Sequence, residues 1–297
     1  MDQLKHLQWG DFFHRWNSIE ARYGLSQSPF PAHDHEFMEI HVILSGSAIH
    51  ETSLGKEQVV TGDAFLFRPG AWHAYSECAE LSLYLCCFDP KLLARELAWM
   101  IDFPSTSQLL WGIPLHPDNN GFVKLQLSEQ TLAKCHALLE ALGGITETNV
   151  ESEGAEQIGL LIQILALLAG TLPKGPAVSK KRYSHPSVLA AIKLIDQDLT
   201  YPWTLTELSK RVHIAPAYLV RLFRIVAGVS PIAFLSRRRL EHSITLLKRS
   251  EYSVGEVGAR VGWDDANYFA RRFKAQFGLS PSAYRKRFRE TRDEKLT

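Results

Sequence analysis

The stretch from Thr204 to Phe234, TLTELSKRVHIAPAYLVRLFRIVAGVSPIAF, returns from Ser253 onward as SVGEVGARVGWDDANYFARRFKAQFGLSPSAYRKR, ending at Arg287. At an offset of 49, Glu207, Arg211 and Val212 recur as Glu256, Arg260 and Val261. At an offset of 50, Arg221, Phe223 and Arg224 recur as Arg271, Phe273 and Lys274. Gly228-Val229-Ser230-Pro231 then recurs as Gly278-Leu279-Ser280-Pro281, and Ala233, Phe234 and Arg237 as Ala283, Tyr284 and Arg287. The one-residue shift fits a longer turn in the second copy.

Each copy predicts a helix, a tight turn and a second helix. In the first, Leu205, Leu208 and Val212 face inward, His213-Ile214-Ala215 forms the turn, and Pro216 opens the next helix. Leu219, Leu222, Phe223 and Val226 make that helix's buried stripe. In the second, Val254, Val257 and Val261 precede a turn at Gly262-Trp263, and Phe269, Phe273 and Phe277 face inward after it. Asp264 is the expected N-cap. Gly262 suits a left-handed corner, which His213 tolerates less comfortably.

The outward faces of the two second helices carry Ala217, Val220, Arg221 and Arg224, then Ala266, Asn267, Ala270, Arg271, Arg272 and Lys274. Small residues let a helix enter the major groove; Arg221 and Arg271 can pair with guanine and Asn267 with adenine. Arg224, Arg272 and Lys274 suit phosphates, which hold register without reading bases. A long helix, about 231–248, could set the two readers about 34 Å apart, one turn of duplex.

Outward from the repeat, residues 171–186 (TLPKGPAVSKKRYSHP) read as a linker. The expected division is 1–170 for a first domain, 187–290 for the helical domain and 291–297 for a tail. Charge divides the same way: residues 1–179 carry a net −11 and residues 180–297 a net +12. An acidic half joined to a basic half points to a nucleic-acid-binding module beside something else.

Residues 20–90 predict short strands, at Glu39–Leu44, Gln58–Val60, Ala64–Phe67 and Leu81–Phe88, enough for a small barrel or sandwich. Helical spacing follows over Lys91–Ile101, Ser128–Leu142 and Glu151–Ala169. In the last, Ile158, Leu161, Ile162, Leu165 and Leu168 form a stripe that packs on the barrel or pairs two copies as a homodimer. The fold class is therefore α+β and multidomain, with a β-barrel and following helices, then an all-α domain of two helix-turn-helix units. Cys78, Cys86, Cys87 and Cys135 show no zinc spacing and read as reduced thiols. No signal-peptide core or membrane-length apolar run is present, so a cytoplasmic protein is expected.

Residues 187–289 closely resemble the AraC/XylS family of transcription regulators, on the two quoted segments. The resemblance implies an activator or repressor that binds double-stranded promoter DNA and contacts RNA polymerase; DNA readers of this size often dimerise, so a homodimer is expected. His213 stands where the family often has Gly, Ala215 where a Ser frequently caps, and Gly258 where Ala is common. Ala217 and Val220 occupy base-reading positions with apolar side chains, so the target sequence does not carry over.

In the first domain, His33-Asp34-His35-Glu36-Phe37-Met38-Glu39 followed by Gly46, and Gly62 followed by Pro69-Gly70-Ala71-Trp72-His73, resemble the two motifs of cupin barrels. The first lacks its leading Gly, because position 27 is Gln. The second sets its His one residue closer to its Pro than metal-dependent cupins do. On an extended strand His33, His35, Glu39 and His41 share one face. With His73, the set His33, His35, Glu39 and His73 could hold a divalent metal. The same groups with Trp72 and Tyr75 could instead bind a small polar effector such as a sugar, or simply line a barrel mouth. A metal-dependent cupin enzyme fused to a DNA-binding tail, and an effector-independent DNA binder, are the rival functions.

Overall fold

The structure is a computed structural model that describes residues 5–7, 18–115, 119–145, 150–172, 186–227 and 229–286. Most of the expected linker and all of the expected tail lie outside them.

The first domain is built on two long antiparallel strands, β4 (Met38–Thr52) and β7 (His73–Phe88), paired along their whole length. One end of this spine is widened by β2 (Ile19–Ser26) on β7 and by β6 (Asp63–Phe67) on β4, with β8 (Phe122–Gln126) beyond β6. The other end is widened by β3 (Phe30–His35) on β7 and β5 (Gly55–Val60) on β4, with β1 (Lys5–Leu7) parallel to β3. Register shifts between Ile43 and Ile49 interrupt the pairing of β4 with β7 at mid-spine. Such bulges bend a strand and raise its twist, so the sheet folds into two facing leaves.

The first leaf is buried on both faces. Ile40, Val42, Ala64, Leu66 and Cys86 pack outward on α1 (Glu129–Gly143) and α2 (Val150–Gly170). Ile43, Phe65, Phe67, Leu81 and Leu83 point between the leaves. Leu161, Leu165 and Leu168 of α2 are fully buried in this same chain's core. The stripe therefore packs on the chain's own core at those positions, while Ile158 and Ile162 are half-buried. Lys91–Ile101 is not one helix but two 3₁₀ turns, Pro90–Ala94 and Ala98–Asp102, broken at Arg95.

The second domain runs α3 (Pro186–Gln197), α4 (Leu205–Arg211), α5 (Pro216–Ala227), α6 (Pro231–Arg249), α7 (Val254–Arg260) and α8 (Ala266–Phe277). Thr204 and Ser253 cap the first helix of each unit, the latter in a reciprocal capping box with Glu256. The corners are left-handed at His213 (φ 56°) and Gly262 (φ 92°). A Cβ at Gly262 would lie 2.8 Å from the Leu199 carbonyl oxygen, so only glycine fits there. The N-cap of α8 is Asp265, not Asp264: the Asp265 carboxylate accepts from the Asn267 and Tyr268 amides at 2.8 and 3.0 Å. Gly258 has a reason too, since a Cβ there would approach Phe269 to 3.2 Å.

Candidate functional sites: a histidine cluster and two reader helices

Two leaves meet across a cluster of buried imidazoles. His33 and His35 come from β3, Glu39 and His41 from the start of β4, His50 from its far end, and His73 and Tyr75 from β7. The strand expected to carry His33 through His41 is not continuous; a turn at Glu36-Phe37 separates β3 from β4. The side chains converge nonetheless, because the turn places the two strands on opposite leaves.

Glu39 Oε2 is the hub. The Nε2 atoms of His35, His41 and His73 lie 3.2, 3.1 and 3.3 Å from it. None of these four atoms has a hydrogen-bond partner. The other nitrogen of His35 donates to the Phe37 carbonyl at 2.8 Å, and Nδ1 of His33 donates to the Pro31 carbonyl at 3.0 Å. With its Nδ1 hydrogen on the Phe37 carbonyl, His35 meets the Glu39 carboxylate as a donating imidazolium, or across a cation held between the two. A backbone carbonyl on the far nitrogen is the usual support of a metal-bound imidazole.

Burial disfavours charge on the Glu39 carboxyl, but His35 and His41 overcome it and hold the group well below the usual carboxylate range. Burial drives His33 down to about 4, with Glu39 opposing, and His50 down to about 3. His73 is pushed well below its ordinary value for the same first reason. His33, His50 and His73 are thus neutral at physiological pH, the form that binds metals.

His33, Glu39 and His73 offer donor atoms all within 4.8 Å of one another. His41, expected as an effector contact and not as a metal ligand, lies as close to Glu39 as any ligand of the expected set. Its Nδ1 is 2.7 Å from the Tyr75 hydroxyl. Trp72 is half-buried. Three neighbours escaped the sequence reading. His50 stacks on Tyr75, Phe67 stacks on His73 with centroids 4.1 Å apart, and the Cys87 thiol donates to Glu39 Oε1 at 3.5 Å.

The reader helices present their outer faces to solvent. Ala217, Arg221, Arg224, Ala266, Asn267, Arg271, Arg272 and Lys274 are exposed; Val220 and Ala270 are half-buried. Tyr218 and Tyr268 are also exposed, and they occupy the same place in the two copies at an offset of 50. That recurrence is a feature of the repeat that the sequence reading left out. Arg221 lies over the Tyr218 ring, 5.0 Å from its centroid.

Residues 18–165 match a family described as an AraC-like ligand binding domain, and residues 208–287 one described as a helix-turn-helix domain. An HTH-type transcriptional activator RhaR of Mannheimia succiniciproducens is 27% identical over 91% of this chain and 92% of its own. Its counterpart in Yersinia pseudotuberculosis is 26% identical over 88% and 87%. Among solved structures, ToxT from Vibrio cholerae is 14% identical, covering 91% of this chain and 99% of its own, with a TM-score of 0.49.

Proposed function

The chain belongs to the AraC/XylS family of transcription regulators, with a cupin-like ligand-binding domain ahead of paired helix-turn-helix units, and from that premise we propose a promoter-binding activator switched by occupancy of the histidine cluster. It is a regulator and not an enzyme. Among the described residues no helix is long and apolar enough to cross a membrane. Recruitment of RNA polymerase and assembly as a homodimer complete the reading.

One observation carries the switch: three Nε2 atoms without hydrogen bonds converge on one carboxylate oxygen in a closed space. Donors bound about 2.0–2.1 Å from a tetrahedral ion lie roughly 3.3 Å apart, and the three Nε2–Oε2 distances match that spacing. A divalent transition metal would be held by His33, Glu39 and His73, whose donor atoms all lie within 4.8 Å of one another, with His35 and His41 alongside. It would supply positive charge beside the Glu39 carboxylate in place of protons on the imidazoles. Cobalt(II) should bind the full chain with intense visible absorption, and Glu39→Gln should weaken it by about 100-fold or more, since even outer-shell changes cost about 10–100-fold. Equal cobalt affinity in the variant sinks the assignment.

A small polar metabolite, a sugar among them, is the second reading, favoured by His50. Both its nitrogens are buried without hydrogen bonds, and the three-histidine group does not use them. Hydroxyls could satisfy them once the cluster opens.

For DNA, duplexes selected by the full chain from a random pool should show two short motifs about one helical turn apart. Arg271→Ala should cost about 1–3 kcal/mol and relax one base position, whereas Lys274→Ala should weaken every sequence alike and lower the salt slope by about one. An Arg271→Ala loss equal on all sequences removes base reading from that residue.

A further inference from the structure

The strand that carries His33 and His35 into the cluster carries Asp34 on its other face, and Asp34 is buried against the DNA-binding domain. The Tyr284 hydroxyl donates to Asp34 Oδ2, and Lys248 Nζ lies 3.8 Å from Oδ1. Two more tethers start beside cluster residues. Arg68 follows Phe67, the ring stacked on His73, and grips Glu241 of α6. Gly70 donates its amide to the His35 carbonyl at 2.9 Å and sits so close to α6 and α8 that a Cβ would lie 2.6 Å from Ile244 and 2.5 Å from Phe277.

The internal repeat shows what Tyr284 is for. Its counterpart Phe234 packs edge-on against Phe223, with centroids 5.5 Å apart at 67°. Tyr284 packs edge-on against Phe273, 5.3 Å apart at 78°. Both rings do the same packing within their units, so the ring alone suffices for the fold. The hydroxyl is the addition, and it reaches the barrel. Burial, reinforced by Asp34, raises the phenol well above its ordinary value, which keeps it a proton donor.

We propose that the Asp34–Tyr284 contact is the latch through which the state of the histidine cluster reaches the second reader helix. It rests on the reading of the cluster as the sensor. A cation drawn between the Nε2 atoms and Glu39 pulls on β3 from one face. Asp34, on the opposite face of the same strand, moves with it. Occupied and empty clusters then favour different positions of Tyr284, and of α8 packed on it. A ligand shifts such an equilibrium only by its differential affinity for the two arrangements, and the latch supplies that difference.

The test uses the full chain and a duplex it has selected, with zinc(II) or cobalt(II) alone as the probe. In the wild type, metal should change DNA affinity at least fivefold, the lower end of typical coupling. Tyr284→Phe keeps the ring found in the first copy. It should bind cobalt with the wild-type spectrum, yet show less than a twofold change in DNA affinity on loading. Asp34→Asn, which weakens the contact from the barrel side, should behave alike, and it carries the test should Tyr284→Phe fold poorly. A responsive wild type with equally responsive variants overturns the latch while leaving the sensor intact. A wild type whose DNA affinity no metal alters overturns the sensor reading, and the latch with it.

Discussion

Glu241→Ala is expected to lower the stability of the whole chain by about 3–5 kcal/mol, the cost of leaving a buried charge without its partner. Glu241 takes a two-pronged grip from Arg68, Nε at 2.8 Å and Nη2 at 3.0 Å, and a third bond from Arg238 at 2.7 Å. Arg68 and Glu241 are both almost wholly buried, at the seam between barrel and helical domain. Arg238 would keep Asp196 at 2.7 Å. Arg68 would keep only the Leu110 carbonyl at 2.9 Å, an acceptor without net charge. Arg237, which burial already pushes down to about 10 while Glu241 opposes, would lose that support. Thermal unfolding measures the cost, and a loss under about 1 kcal/mol contradicts it. Replacing both partners, Arg68→Met with Glu241→Leu, should cost far less, because no charge is left stranded.

The same carboxylate sets an acid limb. Burial raises its pKa, but Arg68 and Arg238 prevail and hold it down to about 2, against an ordinary value of 4.5. A group depressed on folding stabilises the protein above its unfolded value and loses that contribution as pH falls through the folded one. The wild type should therefore lose stability between about pH 4.5 and 2 through Glu241, and Glu241→Ala should lack that component.

The helical repeat was legible because its cues are local: inward stripes at helical spacing, capping residues and a tight corner. His213 and Gly262 could be assigned left-handed backbone from the corner alone, and they have it. Asp264 was expected as the N-cap in place of its neighbour Asp265, since both are good capping residues that precede α8 and no local cue sets the first helical residue. In the barrel, local cues were weaker. β8 pairs with β6 across some sixty residues, and nothing in Phe122–Gln126 announces a partner so distant. His50 was missed for a definite reason. Alternation places Glu39 and His41 on the inner face and would place an even-numbered residue outside. The bulges between Ile43 and Ile49 reverse that parity, so His50 turns inward. The Glu36-Phe37 turn escaped notice because both flanking strands happened to present their ligands to one centre. Asp34 and Tyr284 stand 250 residues apart, and their contact belongs to the docking of domains.

Phe273→Ala should cost about 3–5 kcal/mol, as Phe-to-Ala changes in cores do, but confine the damage to the second reader unit. Phe273 has no exposure and is ringed by Phe269, Phe277 and Tyr284, with centroids 5.8, 4.6 and 5.3 Å away. These belong to a separate core with Val257, Val261 and Trp263, built on Leu240, Ile244 and Leu247 of α6. Phe223, its counterpart in the first unit, lies instead in one continuous core with Ile40, Leu66 and Leu165 of the first domain. The two substitutions remove equal volume from equivalent places, yet they strike different cooperative units. Amide exchange should rise across 254–286 in Phe273→Ala while β4, β6 and β7 keep their protection. DNA footprinting should then lose one of two protected groove segments. Phe223→Ala should raise exchange in the barrel as well. Equal exchange profiles in the two variants would mean that the cores melt together, and the second reader could not move independently of the first. Independent movement is what a latch at Tyr284 requires, so this comparison probes the mechanical premise of the switch without any ligand.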